Sequence, residues 1–104
     1  MASTFEVLAE PHRRHILDLL RLRDRSVGEL VEELPLTQPS VSKHLKVLKE
    51  SGLVSVRPDA QRRVYRLRPE PLLEIDAWLT PYRAVWADRL DALEQHLTDD
   101  GAVR

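Results

Sequence analysis

The sequence predicts a mainly α fold carrying one small β-hairpin: about five helices plus a two-stranded wing, the arrangement of a winged helix-turn-helix. Three observations predict it. Apolar residues recur at helical spacing over most of the chain. That period gives way to β-prone runs only around residues 53–67. Two short helical patterns just before those runs are separated by about three residues, the spacing of a helix-turn-helix. A chain of 104 residues supports one hydrophobic core, so residues 1–104 read as a single domain.

The elements follow in order. Ser3-x-x-Glu6 is a capping box, so a short helix opens near Thr4, with Phe5 and Leu8 expected inward. Pro11 suits the first turn of a second helix whose apolar face is Ile16, Leu17, Leu19 and Leu20. After a charged exit at residues 21–25, Ser26-Val27-Gly28-Glu29 is another capping box, and Val27, Leu30, Val31 and Leu34 point to the core. Leu34-Pro35-Leu36 breaks that helix, because proline cannot continue the hydrogen-bond ladder. Thr37 caps the next one and Pro39 is tolerated in its first turn. Val41, Leu45 and Leu48 form its buried stripe, and Ser51-Gly52 ends it.

Residues 53–57 and 63–67 are the two strands, about a turn expected on Pro58-Asp59-Ala60. From Leu72 the pattern is helical again. Leu72, Ile75, Leu79, Tyr82, Trp86, Leu90, Leu93 and Leu97 make one apolar seam, which Pro81 is expected to kink or to split with Thr80 as a new cap.

Composition narrows the function. The absence of cysteine excludes disulfides, thiol redox sensing and thiolate metal sites. No apolar run approaches the roughly 18 residues that span a bilayer, and the first residues do not begin a signal peptide, so a cytoplasmic protein without membrane partners is expected. Between Thr37 and Arg68, eight basic residues face two acids; from Pro69 onward, three arginines face eight acids. A block of net +6 beside one of net −5 suits one surface to a polyanion and another to something else.

In a helix-turn-helix the second helix enters the major groove. With its core stripe inward, the helix at residues 37–50 presents Gln38, Pro39, Ser42, Lys43 and Lys46. Gln38 can pair with adenine, Ser40 and Ser42 can bond to bases or phosphates, and Lys43 and Lys46 can meet phosphates or guanine. His44 is expected to take a hydrogen-bonding or phosphate role. Ser40 fits equally well as a residue that only supports the helix start. Arg57, Arg62, Arg63 and Arg66 around the hairpin tip are expected on backbone phosphates or in the minor groove, collectively more than singly. Strand alternation assigns Tyr65 to packing.

The run Leu36-Thr37-Gln38-Pro39-Ser40-Val41-Ser42-Lys43-His44-Leu45-Lys46-Val47-Leu48-Lys49-Glu50-Ser51-Gly52-Leu53-Val54 resembles the recognition segment of the ArsR/SmtB family. Ahead of it, Ala9-Glu10-Pro11-His12-Arg13-Arg14-His15-Ile16-Leu17-Asp18-Leu19-Leu20 resembles that family's opening helix. The resemblance implies a homodimeric transcriptional repressor that leaves its operator when a signal arrives. On that reading the DNA-binding core spans about 9–68 and the dimerisation helix about 70–97. Trp78, Tyr82, Trp86, Leu90, Leu93 and Leu97 would meet a second copy, joined by Phe5 and Leu8. Two-fold symmetry then predicts an inverted-repeat operator.

The wing departs from the family pattern. Ala60 stands where glycine is common, and a positive φ would cost alanine roughly 1 kcal/mol, so another turn is expected. The usual metal ligands are missing as well: Ser26 and Gly28 replace thiolates, and Trp78, Arg89 and Ala92 interrupt the pattern of the last helix. His12 and His15 are three apart but lack an evident third ligand, His15 is expected near the core, and His96 lies among acids. The sequence therefore predicts no metal site and no cofactor. An effector, if one acts, would be a small molecule, with Trp78, Tyr82 and Trp86 lining either a pocket or a plain dimer core.

No phosphate loop, nucleophile motif or metalloprotease helix occurs, and an enzyme is not expected. Two alternatives remain: a winged-helix protein-interaction module without DNA, whose recognition face would carry acids or apolar residues, and a MarR-like repressor answering a small ligand, for whose extra helices there is little room.

Overall fold

The computed structural model describes residues 2–103, with side chains through Leu97. The element order is α1 (Thr4–Leu8), α2 (Pro11–Leu22), β1 (Arg25–Ser26), α3 (Val27–Glu33), α4 (Gln38–Glu50), β2 (Val54–Asp59), β3 (Arg62–Leu67) and α5 (Leu72–Val103). By contact density the chain divides into two units, one ending at Leu73 and the other starting at Glu74.

The caps form where the sequence puts them. Ser3 Oγ accepts the Glu6 amide, and the Ser26 hydroxyl and Glu29 carboxylate complete a reciprocal capping box at α3. Thr37 caps α4 and Pro39 lies in its first turn. Gly52 leaves α4 at φ 78°, in the left-handed region that glycine enters without penalty. Ile16, Leu30, Val41, Leu45, Leu48 and Leu53 have no exposed surface and form the centre of the first unit's core. Leu8, Leu19, Val27 and Val31 pack at its margin, and Tyr65 packs into it as alternation requires.

Five expectations are corrected, the last two at the hairpin tip. Phe5 does not point inward: it is 39% exposed, while Thr4 and Val7, three apart, take the buried face of α1. His15 is exposed on α2 rather than near the core. The wing belongs to a three-stranded antiparallel sheet of order β1-β3-β2, because Arg25 and Ser26 pair with Tyr65 and Val64. The charged Arg25 is buried there, since Glu33 Oε1 accepts from it at 2.5 Å and the Leu19 carbonyl at 3.2 Å. Last, Asp59 pairs with Arg62, so the hairpin turns on Ala60-Gln61 and not on residues 58–60. Ala60 does adopt a positive φ, 58°, at the first turn position where a II′ hairpin favours glycine.

The second unit is helical. Pro81 lies inside α5, which is not divided: the Thr80 hydroxyl donates back to the Asp76 carbonyl at 3.2 Å instead of capping a new helix. Trp78, Tyr82, Trp86, Leu90, Leu93 and Leu97 form an exposed stripe at helical spacing, with Val85 beside them. The Trp78 and Tyr82 rings lie against each other tilted by 44°, with centroids 4.8 Å apart. Among the described residues, no helix is long and apolar enough to cross a membrane.

Candidate nucleic-acid interface

The interface begins with the orientation of α4. Its buried stripe fixes the helix rotationally, so the opposite arc is set by the 100° step between residues. Ser42, Lys43 and Lys46 are exposed on that arc, and Gln38 in the first turn and Lys49 in the last are exposed at its edge, on the Ser42 side. The sequence placed these side chains together, and the structure does too.

Ser40 and His44 fall on a different flank. Both are half-buried, and the Ser40 amide donates to Thr37 Oγ1 at 3.3 Å within the cap. The His44 ring lies 6.0 Å from that of His12 on α2. Burial, then Arg13, hold the His44 imidazole below its ordinary range against the opposing pull of Glu10. Near neutral pH it is therefore an uncharged ring at the seam of α2 and α4.

The wing arginines divide by the pleat. Arg62 and Arg66 share one face of β3, and the register sets Asp59, Arg57 and Ser55 beside that face on β2. Those three arginines all have carboxylate partners. Arg66 Nε donates to Asp24 Oδ2 at 3.2 Å, and Arg57 reaches the same oxygen at 3.9 Å. Arg62 meets Asp59 at 3.1 Å and Glu29 at 3.5 Å. Arg63, on the other face, is exposed and has no carboxylate partner among the described residues.

Glu29 is the most perturbed carboxylate of this region. The Ser26 amide, then Arg23 and the Ser26 hydroxyl, hold it at about 2, so it stays ionised across the physiological range. Between the start of α3 (residues 26–28), Gln38 and the wing tip (residues 61–63) lies an open groove of about 350 Å³. Gln61 and Asp24 were not singled out by sequence reasoning. A turn displaced by one residue hid the first, and the second is 42 positions from Arg66. Among the described residues, no three or more His, Cys, Asp or Glu side chains are placed to hold a metal ion.

A helix-turn-helix whose second helix exposes amide, hydroxyl and ammonium groups beside a basic hairpin defines a winged-helix DNA-binding regulator. Residues 10–56 match the bacterial regulatory protein, arsR family, and the chain belongs to that family. It is similar to the HTH-type transcriptional regulator Rv2034 of Mycobacterium tuberculosis, with 38% identity over 97 residues, 93% of this chain and 88% of that protein. The transcriptional repressor SdpR of Bacillus subtilis is 33% identical over 79 residues, 76% of this chain and 88% of its own length. Among solved structures, the homodimeric winged helix-turn-helix DNA-binding domain Mb0332 of Mycobacterium bovis superposes with a TM-score of 0.60 at 29% identity. That match covers 75% of this chain and 72% of the other. The family is one of regulators and not of enzymes.

Proposed function

We propose that the chain represses transcription as a homodimer bound to an inverted-repeat operator, and that its signal is not a metal ion. The observation that carries this reading is the exposed arc of α4. Gln38 and Ser42 supply groups that read base edges, and Lys43 and Lys46 supply charge for phosphates or guanine. An interaction module would have little use for that combination.

Dimerisation is supported by the exposed stripe of α5, with its two tryptophans, and by the homodimeric state of the Mb0332 domain. The exposed Phe5 and half-buried Leu8 of α1 are proposed to add to the contact with the second copy. Repression is supported by the likeness to SdpR, itself a repressor. Ser26 and Gly28 offer no ligand atoms of the kind a metal sensor needs at the start of α3, which supports a signal of another kind.

The test is fluorescence anisotropy on duplex DNA from immediately upstream of the chain's own gene, beside a scrambled duplex, at roughly physiological salt. Two chains per duplex should bind the first and not the second, unchanged by zinc or a chelator. Replacing Gln38 with alanine should cost about 1–3 kcal/mol on the operator and relax its base preference. Lys43→Gln and Lys46→Gln should each flatten the salt dependence by about one unit of slope where the lysine meets a phosphate. No preference between duplexes would sink the reading.

A further inference from the structure

We propose a division of labour within the wing: Arg63 and Gln61 bring it to a backbone phosphate of the duplex, while Asp24 holds Arg57 and Arg66 as a positioning clamp that does not touch DNA. The inference rests on the DNA-binding reading above and deepens it.

The clamp follows from register. Arg25 pairs with Tyr65 and Ser26 with Val64, so the next residue out, Asp24, lies opposite Arg66. Arg57 pairs with Val64, which places it diagonally from Arg66 on the same face of the sheet. One carboxylate thus receives two guanidinium groups, at 3.2 and 3.9 Å, from both strands of the hairpin. Asp24 is also the more shielded partner, 27% exposed against 58% for each arginine. The hairpin is fastened on its outer face to the exit of α2. Arg62 adds a second fastening nearer the tip through Glu29.

The reaching residues are those left over. Arg63 alternates away from the clamped face, and with Gln61 it borders the groove that Gln38 closes from the α4 side. Arg62 borders the same groove but is held by Asp59 and Glu29, so Arg63 and the two amides are left to suit a phosphodiester oxygen, and Gln38 joins that contact to the recognition helix. Arg63 also starts without a carboxylate to give up, whereas Arg57 and Arg66 would have to exchange Asp24 for a phosphate.

The test is the salt dependence of operator affinity for Arg63→Gln, Arg57→Gln, Arg66→Gln and Asp24→Asn, with melting curves to show that each variant folds. Arg63→Gln should lower the slope by about one, as loss of one phosphate contact does. Arg57→Gln, Arg66→Gln and Asp24→Asn should weaken binding by only about three- to five-fold, the scale of an exposed ion-pair network, and leave the slope unchanged. Asp24→Glu should recover part of the loss. In the Asp24→Asn background Arg63→Gln should cost less than in the wild type, a coupling that general destabilisation would not produce. Should Asp24→Asn fail to fold, the Arg57→Gln, Arg66→Gln double variant removes the same clamp from its other side.

The inference is overturned if Arg57→Gln and Arg66→Gln each lower the slope by about one. It is overturned equally if Asp24→Asn tightens binding, or if Asp24 and Arg63 act additively. A wild-type protein that binds no duplex overturns the DNA-binding reading itself, whereas wild-type binding with the wrong pattern of slopes overturns this inference alone.

Discussion

At the scale of single residues, Ala60 and Glu29 carry measurable consequences. Ala60 holds a φ of 58° at the hairpin tip, the only positive φ outside glycine among the described residues. Its β-carbon makes that conformation unfavourable, so Ala60→Gly should stabilise the fold by up to about 1 kcal/mol, net of the extra freedom glycine gains when unfolded. Urea denaturation of the two proteins measures the difference. Glu29 is depressed from an ordinary 4.5 to about 2. A carboxylate lowered on folding contributes stability that is complete above its unfolded value and is lost as pH falls toward its folded one. The urea midpoint should therefore drop between pH 4.5 and 2, and Glu29→Gln should flatten the drop in that window. An unchanged profile would mean that the capping box and Arg23 do not hold the charge.

At the scale of elements, the recognition helix depends on the stripe behind it. Leu45 is fully buried at its centre, so Leu45→Ala should cost about 2–5 kcal/mol in chemical denaturation. If α4 is oriented by that packing, operator affinity should fall while the variant is still folded. The same stripe explains why α4 could be read from sequence: cap, proline position, apolar period and terminal glycine all agree, and the DNA-facing arc is what remains. Agreement failed where an element was too short to show a period. Two residues of β1 have none, and a charged Arg25 reads as solvent-facing until Glu33 and the Leu19 carbonyl are brought to it. The five residues of α1 cannot fix a helical phase, so Phe5 was assigned the wrong face. The hairpin lacked the glycine that marks a turn, and its tip was placed one residue early. Of the candidate site, the α4 side chains were legible because they are neighbours on one helix. The Asp24 clamp was not, because it is made by strand register alone.

At the scale of the whole molecule, the chain carries one unit with a filled core and one long helix rich in exposed apolar side chains. Trp86 is half exposed in the middle of that stripe, and a charge there should be incompatible with a second copy. Trp86→Glu should sediment as a monomer and bind the operator far more weakly, with little loss from the melting transition of the first unit. Persistence of the dimer would place the interface elsewhere. The three-stranded sheet bears on how copies do not associate. A β-hairpin alone would offer open backbone amides and carbonyls on both flanks, an invitation to fibril-like stacking. Here the two residues of β1 occupy the flank of β3 at Val64 and Tyr65, where its apolar side chains are buried. The opposite flank, on β2, carries Pro58, which has no amide proton to offer, and the charged Arg57. So small a strand costs the fold little, yet it covers the flank of β3 on which the strand of another copy could otherwise pair.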